Sequence, residues 1–197
     1  MTKPSAMTEL EAVNVLLTTI GEQPINSFSG NQTTDVTIAR QVLTEVSREV
    51  QSQGWHFNTE PEVSLVPDST NKHITVPIDV ARIVSKYKNV VIRSGKLFDV
   101  QERTYVFEHN LKCDIIYFHD FLDLPHPAKK YITTRAARIF SDRSLNSESM
   151  HRMISQDERT ALVNLKEYEN DTASHSMFDS YTVARVLNRG HTRRVLS

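Results

Sequence analysis

Glycine, cysteine and charge of one sign are all scarce in this sequence, and each scarcity removes a class of function. The five glycines, Gly21, Gly30, Gly54, Gly95 and Gly190, are scattered. They form neither a GxGxxG pattern nor a P-loop, so the common backbone cradles for nucleotide phosphates are missing. One cysteine, Cys113, rules out an intramolecular disulfide and a cysteine-rich zinc site. It fits a chain folded in a reducing compartment, and its apolar neighbours mark it as a buried, inert thiol. No stretch approaches the length of a membrane span, and Met1 to Met7 lacks the apolar core of a secretory signal, so a soluble protein without a membrane partner is expected. The net charge of -1 gives no global pull toward nucleic acid or an acidic surface. What remains is 197 residues, 39% hydrophobic and 24% charged. Such a chain can bury a core as one domain or as two small ones.

The pattern around Thr34 to Asn58 organises the rest. Val36, Ala39, Leu43, Val46 and Val50 recur at steps of three and four, which places them on one face of a helix. Gly54 can take the left-handed conformation that ends it, and the only tryptophan, Trp55, follows as an expected core residue. Before this helix, Thr8-Glu9-Leu10-Glu11 is a capping box opening a first helix with Leu10, Val13, Leu16, Leu17 and Ile20 as its stripe. After it the period changes to two, in Trp55 and Phe57, Val63 and Leu65, and Ile74 and Val76. Pro61, Pro67 and Pro77 exclude long helices here. Val90 to Phe98 is a hairpin signal with Gly95 in the turn. Tyr105 and Phe107 lead to a strand at Cys113 to Phe118, expected to be buried on both faces. Pro127 suits the first turn of a third helix carrying Tyr131, Ile132, Ala136, Ile139 and Phe140. A fourth carries Met150, Met153, Ile154, Ala161, Leu162, Leu165 and Tyr168.

This order predicts an α+β fold: a four-helix bundle of two N-terminal and two C-terminal helices, with an inserted antiparallel β unit and a C-terminal tail. The expected boundaries are 1–57 and 121–171 for the bundle, 58–120 for the β subdomain and 172–197 for the tail.

Candidate chemistry is thin. His119, Asp120, Asp123 and His126 cluster in sequence but match no HExxH-type spacing, and solvated loop residues are the expectation. Asp120, Asp123, Asp157, Glu158, Glu167 and Glu169 could supply a hydrolytic carboxylate pair, which needs a defined separation and one raised pKa. A charged, solvated helix face accounts for most of them. Lys129, Lys130, Arg135 and Arg138 make a basic face on the third helix, either solvated or turned toward phosphates. The tail combines Met177, Phe178 and Tyr181 with Arg185, Arg189, Arg193 and Arg194. Aromatic residues, Met and Arg are enriched at protein interfaces, so these seven are the candidate interface, docking on the chain's own core or on a partner. No catalytic residue, cofactor site or metal site is expected.

Several patches in matching order resemble the tail tubular protein A family of short-tailed bacteriophages. They are Leu10-Glu11-Ala12-Val13-Asn14 with Ile20-Gly21-Glu22-Gln23-Pro24, then Asp35-Val36, Ala39-Arg40 and Val42-Leu43. The most specific is Gln51-Ser52-Gln53-Gly54-Trp55-His56-Phe57-Asn58. Leu65-Val66-Pro67-Asp68, Gly95-Lys96-Leu97-Phe98-Asp99, Asp120-Phe121 with Leu124-Pro125, and Tyr131-Ile132-Thr133 to Ala136-Ala137-Arg138 follow. None is a catalytic signature. The resemblance implies a structural virion protein, an adaptor or gatekeeper assembled as a dodecameric ring. It would join the portal protein to the nozzle, tail tubular protein B, with tail fibres attaching nearby and DNA passing as cargo through the lumen. Location in the virion tail, after assembly in the host cytoplasm, follows from the same resemblance. The alternatives are a tail-associated polysaccharide or peptidoglycan hydrolase and a free DNA-binding protein.

Overall fold

The computed structural model describes the backbone of residues 6–30, 33–145 and 147–178, and the side chains of those up to residue 172. These residues form helices α1 (Glu9–Thr19), α2 (Thr34–Gln51), α3 (His126–Leu145) and α4 (Glu148–Phe178), with strands β1 (Thr59–Leu65), β2 (Val80–Val84), β3 (Val90–Arg93), β4 (Lys96–Asp99) and β5 (Leu111–Tyr117) between α2 and α3. The class is α+β, as the periodicities predict.

Local chemistry explains the helix ends. The Thr8 N–H donates to Glu11 at 2.8 Å, and the Thr8 hydroxyl accepts from the Glu11 N–H at 3.2 Å, which closes the capping box. Thr33 caps α2 through the Val36 N–H. All five apolar positions read from the sequence of α2 are buried. With Ala12, Val13, Leu16 and Leu17 of α1 they pack against α3 and against Ala161 and Leu165 of α4 in one apolar core.

α3 departs from the expected single stripe. Ala128, Lys129, Tyr131, Ile132, Thr133, Thr134, Ala136, Ala137, Phe140 and Ser141 are all buried, because α3 packs against each of the other three helices. Ala, Thr and Ser at these sites let helices approach closely, and their small side chains give almost no hydropathy signal. α4 is the reverse. Ile154, Ala161 and Leu165 are buried, whereas Met153 and Tyr168 of the predicted stripe face outward.

The β unit is smaller. β5 is the middle strand of an antiparallel sheet in the order β1-β5-β2, and β3 pairs with β4 in a separate hairpin. Val90, Ile83, Leu97, Phe107, Leu111, Cys113 and Ile115 belong to its own core. Burial along β5 is one-sided at first, with Lys112 exposed, and becomes two-sided only at Ile115 and Ile116. Ile74 and Val76 are buried, but only an isolated bridge from Thr75 to Lys96 forms there. Tyr105 and Phe107 lie outside the strands. The 3-10 turn His56–Asn58 replaces the strand start expected at Trp55. Trp55 itself is half-buried: it stacks on Phe57 at 6.5 Å and packs at the rim of the helical core.

Candidate functional site

The joint between the helices and the β unit is built by two side-chain amides. Gln51, at the end of α2, accepts from the His119 N–H at 2.7 Å and donates to the His119 carbonyl at 3.1 Å. It thereby pairs with the chain leaving β5 as a strand neighbour would. Asn58 donates to the Gln51 carbonyl at 2.9 Å and to the Tyr117 carbonyl at 2.7 Å, while its own oxygen accepts from the Trp55 N–H at 2.8 Å. Gln51 and Asn58 are 2% and 1% exposed, so every one of these bonds replaces water that cannot reach them. Gly54 sits between them with φ +80, where a Cβ would fall 2.6 Å from Ile116 Cδ1. Asn14 repeats the device at the other end of the helical body, exchanging two bonds of 2.9 Å with the backbone of Ile25 and so pinning the α1–α2 loop.

A layer of ion pairs ties the helices together. Arg135 reaches Glu49 of α2 and the Tyr131 hydroxyl, and Arg138 pairs with Glu158 of α4 and with Asp142. The hydrogen bond to Glu158, opposed by burial, holds the Arg138 guanidinium above its ordinary pKa. For Arg135 burial works the other way, but Tyr131, Glu49 and Glu158 outweigh it. Lys129 is buried, donates to the Leu122 carbonyl at 2.7 Å and lies 5.9 Å from the Phe121 ring. Of the expected basic face, Lys129 is buried, Arg135 and Arg138 are half-buried in ion pairs, and Lys130 is exposed. Arg135 and Arg138 thus bridge α3 to α2 and α4.

The other sequence candidates separate in space and in role. His119, Asp120, Asp123 and His126 are exposed, and no three potential metal ligands converge among the described residues. Glu158 is committed to Arg138, and Glu169 accepts from the His56 N–H at 2.6 Å, which anchors α4 to the 3-10 turn. Asp157 and Glu167 face outward. Cys113 is 2% exposed, and burial pushes its thiol up, as expected of an inert cysteine. Met177 and Phe178 occupy the last turn of α4, with their side chains outside the described set. Tyr181, Arg185, Arg189, Arg193 and Arg194 lie outside the described residues.

Sequence reasoning missed the surface features. A groove of about 370 Å³ lies between α2 and residues 118–121, with Leu43, Ser47, Ile78, Asp79, Phe118 and Asp120 in its lining. Ile78 projects fully into solvent and Leu122 is 62% exposed. A second groove of about 720 Å³ crosses the β unit between Tyr87 and residues 104–112. Pro77 before Ile78 was the only hint of the first, since a proline-fixed bend can hold an apolar side chain away from a core.

Two comparisons with known proteins bear on what this arrangement is for. Residues 10–175 match the family model described as "Tail tubular protein", a span that takes in all four helices and the whole β unit. The chain is also 30% identical over 132 residues to the tail tubular protein A of Klebsiella phage KP34, covering 64% of this chain and 67% of that protein.

Proposed function

We propose that this chain, which belongs to the tail tubular protein family and is a structural component of a phage tail, is the adaptor subunit between portal and nozzle. Its copies assemble head to tail into a dodecameric ring, one side of which binds the portal protein and the other tail tubular protein B. Tail fibres attach nearby and DNA passes through the lumen. Assembly takes place in the host cytoplasm, before the ring becomes part of the virion. In this reading the four helices, gathered around α3, act as one bundle at 1–57 and 121–171. The β unit at 58–120 presents a separate surface. The tail from 172, with Met177, Phe178, Tyr181, Arg185, Arg189, Arg193 and Arg194, is an interface element.

The observation that carries the proposal is the extent of the family match, which takes in both the helical body and the β unit. The physical features are compatible. A ring of identical subunits needs two different complementary faces on each copy. A near-neutral chain, with Arg135 and Arg138 of α3 engaged by Glu49, Glu158 and Asp142, lets DNA slide without holding it.

Electron microscopy of the purified chain mixed with its portal tests the proposal. A closed ring stacked coaxially on the portal is the expected result. Portal particles without added density, at saturating chain, would overturn it. Removal of residues from 172 onward is expected to leave a folded monomer that no longer joins the portal.

A further inference from the structure

We propose that the groove between α2 and residues 118–121 is the receptor for residues 179–197 of a second copy of this chain. The inference rests on the ring reading and assigns one of its contacts.

The groove lining mixes apolar side chains with carboxylates. Ile78, Phe118 and Phe121 line it, Ile78 at 103% exposure. Asp79 and Asp120 are in the lining too, and neither carboxylate makes a hydrogen bond or ion pair with the described residues. Arg48 is the basic residue in the lining that works against them. The proposed occupant has the complementary composition. After Asp179 it contains no Asp or Glu, and it alternates Arg185, Arg189, Arg193 and Arg194 with Tyr181, Val183, Val186, Leu187, Val195 and Leu196. Apolar side chains suit Ile78, Phe118 and Phe121, and the arginines carry the charge opposite to Asp79 and Asp120. The larger groove of the β unit lacks this preference, since Lys88 and Lys112 line it together with Glu102 and Glu108.

Glu169 is held at the His56 N–H, close to the Gln51–His119 joint that borders the groove, and it is the ring reading that assigns the groove to a neighbour's tail. α4 packs on α3 and on the 3-10 turn, and makes no extended packing with α1 or α2, whose outer side forms the groove. Its last described hydrogen bond to another element is the one from His56 to Glu169, and the helix runs on to Phe178, ~13 Å further. The segment beyond can span up to ~60 Å when extended. In the ring reading, a reach of ~60 Å lets each tail meet the next copy's groove.

Photo-crosslinking of the full chain tests this. Tyr181 is replaced by a benzophenone amino acid in isotopically heavy protein, which is mixed with light wild-type chain and the portal. The expected products join heavy residue 181 to light peptides containing 77–79 or 118–122. Asp79→Lys with Asp120→Lys in the light chain is expected to cut that yield about tenfold, and Arg185→Glu with Arg189→Glu in the heavy chain to restore it. Crosslinks to another surface, crosslinks within one copy only, or a yield that ignores the charge reversal would each overturn the assignment. Rings that form but crosslink elsewhere sink this groove and leave the adaptor reading standing. Absence of rings sinks the adaptor reading, and heavy-to-light products in smaller assemblies would then still support the groove.

Discussion

Among the described residues of the helical body the left-handed backbone positions are glycines, Gly21, Gly30 and Gly54, whereas in the β unit Glu62, Lys72, Ser94 and Arg103 take φ of 54, 58, 50 and 54 beside a single such glycine, Gly95. A side chain in that conformation costs energy that glycine does not. The two regions also hold themselves together differently. Buried apolar faces from four helices make the helical core, and ion pairs such as Arg135–Glu49 and Arg138–Glu158 stitch its edges. The β unit has a smaller core and leans on carboxylates that organise turns. Asp99, 1% exposed, accepts from Lys88 at 2.6 Å and from the N–H groups of Gln101 and Glu102. Asp68 accepts from Thr70 and Asn71 in the same way. The lesson is a division of labour: one region supplies stability, and the other spends some of it to fix loops and hairpins at set positions.

The contrast can be broken at its strong end first. Phe140, 1% exposed in the middle of α3, is expected to cost about 3–5 kcal/mol on replacement by alanine. A loss under about 1 kcal/mol in urea denaturation would show that the helices do not share one core. Next is the joint. Asn58→Ala removes three buried hydrogen bonds at once, although the Gln51 carbonyl keeps the Gly54 N–H, and about 2–4 kcal/mol should be lost. If hydrogen exchange in that variant rises equally in all strands and helices, the two regions unfold as one unit; a rise confined to the strands makes them separable.

Trp55→Ala should cost less than an aromatic truncation in a core, about 1–2 kcal/mol, because the ring is only half-buried, and part of that cost is the lost 2.7 Å bond from Nε1–H to the Val50 carbonyl. A measured loss above about 3 kcal/mol would put the indole back in the core. Acid should then reveal the carboxylates of the β unit. The Lys88 side chain and the Glu102 and Gln101 N–H groups hold Asp99 below its ordinary 3.8, against the effect of burial. A lowered folded pKa means stabilisation that is complete above 3.8 and fades as pH falls through the folded value. The urea midpoint is therefore expected to drop in that window. An unchanged pH profile in Asp99→Asn would remove Asp99 from the explanation. The smallest effect has the opposite sign. Lys72→Gly or Arg103→Gly should stabilise the β unit by about 0.5–1 kcal/mol by relieving a positive φ, which a thermal melt would detect.

How much of this the chain discloses in advance varies by element. The capping box at Thr8, the buried face of α2 and the hairpin at Gly95 are local, so short-range pattern suffices. The breadth of burial on α3 is not local, because Ala, Thr and Ser suit a surface as well as an interior. Trp55 was misplaced for a related reason: hydrophobicity predicts a preference for the core but not a position within it. Gln51 and Asn58 lie in the most specific patch of the family resemblance, and the structure supplies their physical reason as clasps across the joint. Lys129, Arg135 and Arg138 looked like an outward basic face because a charge in sequence carries no record of its partner.

The sequence by itself determined the class, the order of helices and strands, the caps and turns, and membership in the tail tubular family. Those properties depend on neighbours within a few residues or on the residue pattern as a whole. Only the tertiary structure decided that α3 is central, that its arginines bridge helices, that two amides lock the β unit to the body, and that Ile78 lines a groove with Asp79 and Asp120. Each of these joins residues far apart in the chain, where the energy of contact depends on distance and burial that no local pattern encodes.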